Sequence, residues 1–286
     1  MVIDCHFHVD ETMLTLEKMI EGMDENAICK TVLIPPMNET MFEVDSMYQY
    51  HLQRFFRFLI LNVPQIGIKI YDSLVGDGYL KLYGQSYRIF TKPRNDIVAA
   101  VIDRFPDRFL GWAAVNPLIP ESMEEVEFYL QKPGFIGVKA HPFMHEYSIK
   151  TLDPVADMCE SKGIPLLIHL SSEHDSYSYL PEKYPKLKLI YAHAGLPFWK
   201  KGWNYIKNQP NVFVDTSSDY LNPSIVKMAV DCLGYRKVLY GCDGPYGMKE
   251  FNMYDYSIKK SWIDSLKIPD TEKEYILGKN FLELIK

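Results

Sequence analysis

The sequence predicts an α/β protein, a (β/α)8 TIM barrel folded as a single domain over residues 1–286. Three observations carry this. Short apolar runs alternate with amphipathic segments almost from end to end, the pattern of βα units around a parallel sheet. Eight such runs can be counted, which fits a closed barrel better than a doubly wound open sheet. The runs stay apolar until their last residues, as strands buried on both faces should, and the polar residues gather at their C-terminal ends. With 286 residues, 47% of them hydrophobic, the chain has the length that barrels take as one unit and enough apolar mass for a large core.

In chain order the expected strands are Val2 to His8, Cys29 to Ile34, Phe109 to Asn116, Phe135 to His141, Pro165 to Leu170, Leu187 to Ala192, Val212 to Thr216 and Lys237 to Asp243. Helix-start signals lie between them: Pro120 before Glu121 to Leu130, Asp153-Pro154 before the stretch to Glu160, and Asn222-Pro223-Ser224 before the stretch to Leu233. The irregular part is an insertion between the second and third strands, at about 36–94. It holds an aromatic, basic patch from Tyr48 to Phe58 and a Gly- and Tyr-rich piece from Gly76 to Tyr87. A helical excursion packed on the barrel is the expectation, and a lid over the substrate is the competing one.

Composition removes several function classes. A net charge of −6 without a Lys/Arg cluster excludes a nucleic-acid partner. No segment approaches about 18 uninterrupted apolar residues, and the first residues lack the basic and apolar runs of a signal peptide, so a soluble, cytoplasmic protein without membrane contact is expected. Five scattered cysteines with no Cys-x-x-Cys pair suggest reduced thiols rather than a disulfide framework or a Cys-type zinc site.

The chemistry sits at the strand ends, where barrel enzymes build their sites. On the first strand, Asp4, His6 and His8 are two apart and should share one face, so two imidazoles can grip one metal ion. His169 closes the fifth strand, His193 the sixth and Asp243 the eighth, while Lys139 and His141 face inward from the fourth. Five of the eight histidines thus lie at expected strand ends, and His51, His145 and His174 do not.

This set, Asp-x-His-x-His on strand one, His on strands five and six, and Asp on strand eight, resembles the amidohydrolase superfamily. The finer match is to its amidohydrolase-2 branch, which includes zinc-dependent decarboxylases related to aminocarboxymuconate-semialdehyde decarboxylase. Three stretches are similar to that branch as well: Asn95 to Pro117, Gly137 to Pro142, and the C-terminal run from Ile276 to Leu282. Together they cover most of the chain outside the insertion.

The resemblance implies that His6, His8, His169 and Asp243 hold one divalent metal, Zn²⁺ first and Mn²⁺ second, with a position left open for water. Such an ion brings the pKa of its water from 15.7 toward about 7. Asp243 is then placed to take that proton, and His193 to polarise the substrate, assist proton transfer or bind a second metal. Asp4 is expected to orient a ligand from behind. A carboxylated lysine bridges two metals in binuclear members, so Lys139, with His141 and His193, could hold a second ion; one metal is the preferred expectation, with Lys139 a cation of lowered pKa near the substrate.

Hydrolysis of an amide, ester or lactone bond of a small molecule is the leading functional expectation. Non-oxidative decarboxylation of an aromatic or unsaturated acid is the alternative, and an inactive metal-binding barrel a second one. Phe143, Pro197, Phe198, Trp199, Tyr220, Pro245 and Tyr246 follow strand ends and could wall a pocket; Arg54, Arg57 or Arg88 could meet a carboxylate if the insertion is a lid. A homo-oligomer through the Tyr48 to Phe58 face is left open.

Overall fold

A computed structural model describes residues 1–41, 46–246 and 255–286. Its strands are β1 (Val2–His8), β2 (Ile28–Ile34), β3 (Val75–Gly76), β4 (Tyr79–Leu82), β5 (Gln85–Arg88), β6 (Phe109–Val115), β7 (Phe135–Ala140), β8 (Leu166–Ile168), β9 (Leu189–Tyr191), β10 (Val212–Asp215) and β11 (Val238–Leu239). Eight of them form one parallel sheet in the order β1-β2-β6-β7-β8-β9-β10-β11. The sheet returns to its start: the Cys5 amide donates to the Tyr240 carbonyl at 3.0 Å, the Asp243 amide donates to the His6 carbonyl at 2.8 Å, and Phe7 bridges Gly244 in parallel. A side chain at Gly244 would run into the Phe7 ring at 2.0 Å, so the closure requires glycine there. The fold is the expected (β/α)8 barrel, with the eight strands at the places the apolar runs marked.

Two apolar compartments hold it together. Ile3, Cys5, Val32, Trp112, Leu167, Ile190 and Leu239 fill the barrel interior, closed from below by Phe281 and Leu284 of the C-terminal helix. The larger compartment lies between the strands and the surrounding helices. Local signals set the helices: Thr15 caps α1 (Leu16–Glu25) by accepting from the Lys18 amide, and Asn222 caps the helix Pro223–Leu233 by accepting from the Ile225 amide. Among the described residues, no helix is long and apolar enough to cross a membrane.

The insertion departs from the helical excursion expected at 36–94. It contains α2 (Ser46–Asn62) and α3 (Pro64–Asp72), followed by a three-stranded antiparallel sheet of β3, β4 and β5. Two-residue turns at Asp77-Gly78 and Tyr83-Gly84 join these strands, with all four residues at positive φ, the conformation whose twist matches an antiparallel hairpin. Asp-Gly between alternating apolar residues is a hairpin signal, and the expectation of a helical excursion did not take it into account. Residues 42–45 of the insertion lie outside the described part.

The first strand also departs from strict alternation. From Asp4 to Phe7 it advances three residues while β2 advances two, Thr31 to Leu33. This is a β-bulge at Cys5 and His6. Asp4 and Phe7 therefore share the outer side: Phe7 stacks on Tyr256 with ring centroids 5.7 Å apart, and the Asp4 charge helps push the Tyr256 phenol up. His6 and His8 turn into the barrel mouth instead.

Candidate metal centre and active site

At that mouth His6 and His8 meet Asp243. The Asp243 Oδ1 lies 3.3 Å from His6 Nε2 and 3.5 Å from His8 Nε2. Among the described residues these three form the one group of His, Cys, Asp or Glu side chains whose ligand atoms all lie within 4.8 Å of one another. Asp243 sits at φ 61°, a left-handed conformation that costs energy outside glycine and is held here by its amide bond to His6.

His169 stands beside that trio. Its Nδ1 lies 3.1 Å from His193 Nε2, and its Nε2 is buried without a hydrogen-bond partner. His141 stacks on the His169 ring at 4.2 Å and accepts from the Met144 amide through Nδ1. Lys139 lies beneath, fully buried, with no hydrogen-bond partner for its Nζ. Burial lowers its pKa to about 8, the expected direction, while the Asp215 and Asp243 charges oppose the shift.

The carboxylate behind the His6 and His193 rings is Asp215, for which the sequence carried no expectation. One oxygen accepts from the His193 amide at 2.8 Å and the Ser217 amide at 3.0 Å, and the other faces His6 Nδ1 at 2.8 Å. Ser217 Oγ bonds Asp215 and also lies 3.1 Å from His6 Nδ1 and 2.9 Å from His193 Nδ1. The signal was present: Val-Phe-Val-Asp215-Thr-Ser217 ends the seventh barrel strand with two inward polar residues. The orienting role expected of Asp4 therefore changes place. Asp4 binds main chain, accepting from the His6 amide at 3.1 Å and the Cys242 amide at 3.0 Å, because the bulge turns it away from the imidazoles.

Electrostatics follow from burial and these contacts. Burial lowers His8 to about 3 and His193 to about 4, and drives His141 and His169 well below the usual range, so all four are neutral with lone pairs to offer at pH 7. Burial and Lys139 also oppose protonation of His6, but the Asp215 and Asp243 carboxylates outweigh them and raise its pKa. Asp215 stays ionised at about 2 despite burial, through His6, His193 and Ser217. Neutral imidazoles, an ionised carboxylate and an orphaned buried His169 nitrogen form a donor set that fits a divalent first-row ion.

The trio opens into a cavity of about 130 Å³. Phe143, Tyr220 and Tyr246 line it as expected, whereas Pro197, Phe198, Trp199 and Pro245 do not. Trp199 is buried in packing and donates from Nε1 to the His193 carbonyl. The insertion supplies the far wall through Gln49, Tyr71, Leu80 and Tyr83. Tyr71, also unread in the sequence, stacks on Phe143 at 4.1 Å and donates to the Leu170 carbonyl at 2.7 Å. None of Arg54, Arg57 and Arg88 lines this cavity; Arg57 donates to the Asp219 and Tyr220 carbonyls, and Arg88 faces a separate groove.

The amidohydrolase family model matches residues 3–284. The chain belongs to that family. A 2-keto-4-carboxy-3-hexenedioate hydratase from a Sphingobium species is 26% identical over 235 residues, 65% of this chain and 68% of the hydratase. Among solved structures, a 4-oxalomesaconate hydratase from Rhodopseudomonas palustris superposes with a TM-score of 0.65 at 16% identity, covering 100% of this chain and 95% of that one. A dihydroxybenzoic acid decarboxylase from a Polaromonas species, solved with manganese and an inhibitor, gives 0.57 at 16% identity over 99% and 96%. At these identities the superpositions speak for the fold. The chain is thus an enzyme of this family, similar in sequence to a hydratase and in fold to a decarboxylase.

Proposed function

We propose that this amidohydrolase is a metal-dependent decarboxylase of a small aromatic or conjugated acid carrying a single carboxylate. The observation that carries the reading is the cavity itself. It joins His8 and Asp243 of the trio to walls of aromatic rings, and among the described lining residues there is no arginine or lysine. A hexenedioate with a further carboxyl group would bring three negative charges against described lining residues that include no lysine or arginine, at a desolvation cost of several kcal/mol per ion. A planar acid with one carboxylate brings one, and Phe143 and Tyr71, stacked on each other, give the cavity an aromatic wall. This moves decarboxylation ahead of hydrolysis, the order favoured on strand-end residues alone.

His6, His8 and Asp243 would hold the metal, with His169 as a further donor beside them. When bound, such an ion would supply a fixed positive charge to stabilise the negative charge that builds up as CO₂ leaves. Asp215 and Ser217 fix the His6 and His193 rings. The bond from the ring carbon to the carboxylate breaks, its electron pair stays on that carbon, CO₂ leaves, and the carbon takes a proton. The Asp243 and His193 pair, with Oδ2 and Nδ1 3.9 Å apart, is placed to pass that proton. Both are unprotonated in the free site, so the proton enters with substrate or water.

The test is a substrate panel on metal-loaded protein: hydroxybenzoic acids, 4-oxalomesaconate, and aryl amides and lactones, read by CO₂ release and by product mass. CO₂ from a hydroxybenzoic acid supports the reading. Water addition to the tricarboxylate, or a new acid with an amine or alcohol, in the absence of CO₂ would overturn it.

A further inference from the structure

The turn Ser218-Asp219-Tyr220 follows directly on Ser217, whose hydroxyl lies 2.9 Å from His193 Nδ1, and all three of its residues line the cavity. Ser218 stands at φ 90°, a conformation that costs energy outside glycine and persists only where the surroundings impose it. Two cations from distant elements do so. Lys259, 5% exposed on the helix Tyr256–Asp264, donates to the Ser218 carbonyl at 2.6 Å and pairs with the Asp219 carboxylate at 3.1 Å. Arg57 of α2 reaches the Asp219 and Tyr220 carbonyls at 3.4 Å each. Neither cation lines the cavity.

That arrangement fixes where a main-chain donor points. In a trans peptide the N–H and the C=O lie on opposite sides, so the Asp219 amide points away from the Ser218 carbonyl and from Lys259 behind it. The Asp219 carboxylate is drawn to the Lys259 side as well, which leaves the amide as the group that Asp219 turns toward the cavity. The next two amides are used inside the turn: Tyr220 donates to Ser218 Oγ at 3.1 Å and Leu221 to the Ser218 carbonyl at 3.3 Å. Among the described residues the Asp219 amide donates to none. A main-chain donor in a cavity wall needs an acceptor, and a cation on the carbonyl of the same peptide makes it a stronger donor.

We propose that the Asp219 amide, aimed and polarised by Lys259, donates a hydrogen bond to the substrate and takes an uncharged oxygen on it. Charge decides against a second carboxylate there. The Asp219 carboxylate offsets Lys259, so the turn offers a hydrogen bond without net positive charge, while the acid group of the substrate has the metal centre. Lys259 is thereby a positioning residue that acts through the turn. The proposal rests on the reading that the substrate is a small planar acid, and not on the reaction that acid undergoes.

Calorimetric binding to the metal-loaded protein tests it, with benzoate and its hydroxy and formyl derivatives as probes. The best derivative should bind about fivefold to tenfold tighter than benzoate, the gain from one net hydrogen bond, and its series tells a hydroxyl acceptor from a carbonyl one. In Lys259→Met, folded and with its metal, that preference should fall below about twofold, and Lys259→Arg should keep more of it than Lys259→Met does. Should Lys259→Met not fold, the double variant Lys259→Met, Asp219→Asn leaves no unpaired charge and is read the same way. A folded variant with the full wild-type preference overturns the proposal, and so does a wild type that binds benzoate as tightly as every derivative. If no probe binds at all, the small-acid reading falls with it, whereas an oxygen preference without CO₂ release counts against decarboxylation alone.

Discussion

Asp243 faces His6, His8 and His193, and these neighbours hold its carboxyl well below the usual range although burial pushes it up. Asp243→Asn keeps the size and the main-chain bond but removes the charge and the proton-accepting oxygen. Turnover should fall by roughly 10² to 10⁴, the span general acid and base groups supply, with much less effect on the thermal midpoint; steady-state kinetics beside a melting curve measure the split. Asp215 acts one step back. Asp215→Asn should weaken metal binding by about 10 to 100-fold, as loss of a carboxylate behind a ligand histidine does, read by competition with a chromogenic chelator. Unchanged affinity would remove Asp215 from the centre.

At this scale the sequence was informative where side chains stand at strand ends, and the structure brings His6, His8 and Asp243 together. It misled where the backbone departs from period two, since nothing in Asp4-Cys5-His6 announces a bulge. It was silent for Tyr71 because contact between a distant helix and Phe143 leaves no local pattern.

Among the elements, the two insertion helices depend on one close approach. A Cβ at Gly67 would lie 2.8 Å from the Ile60 amide nitrogen and 2.9 Å from its Cδ1, so α2 and α3 can pack only with glycine there. Gly67→Ala should destabilise the protein by about 1–3 kcal/mol through overpacking, visible in urea unfolding. Because α2 carries Gln49 and α3 carries Tyr71 to the cavity, KM should rise more than kcat falls. The insertion shows how element-level reading fails: its helical periodicity was legible, but the sheet after it depends on two short turns whose glycines read equally well as loop.

The whole molecule should show a pH dependence from His145, which lies away from the trio. Its Nε2 faces the Phe90 carbonyl at 3.2 Å, and its Nδ1 is buried without a partner. Burial lowers its pKa, and the Phe90 bond opposes that shift without cancelling it. The folded state therefore favours the neutral ring. Its contribution to stability is full above the unfolded value near 6.5 and is lost as pH falls through the lowered folded value. His145→Gln keeps an N–H for the Phe90 carbonyl and cannot charge, so it should reduce the acid-side slope by up to about 1.4 kcal/mol per pH unit. Urea midpoints across pH 4 to 7 decide this, and parallel slopes would assign the acid lability to other groups.

The global architecture was the most legible part of the sequence, because eight buried strands must each be apolar and each be followed by a helix long enough to cross back. What could not be read is the shape of the cavity, which depends on loops and an insertion far apart in the chain.

Elemental analysis of protein purified without chelators shows whether His6, His8 and Asp243 hold one metal ion. About one equivalent of zinc or manganese per chain is expected, the loading of a site with one open position, together with its loss in His6→Ala. No bound metal after reconstitution, or full metal content in a folded His6→Ala, would contradict it.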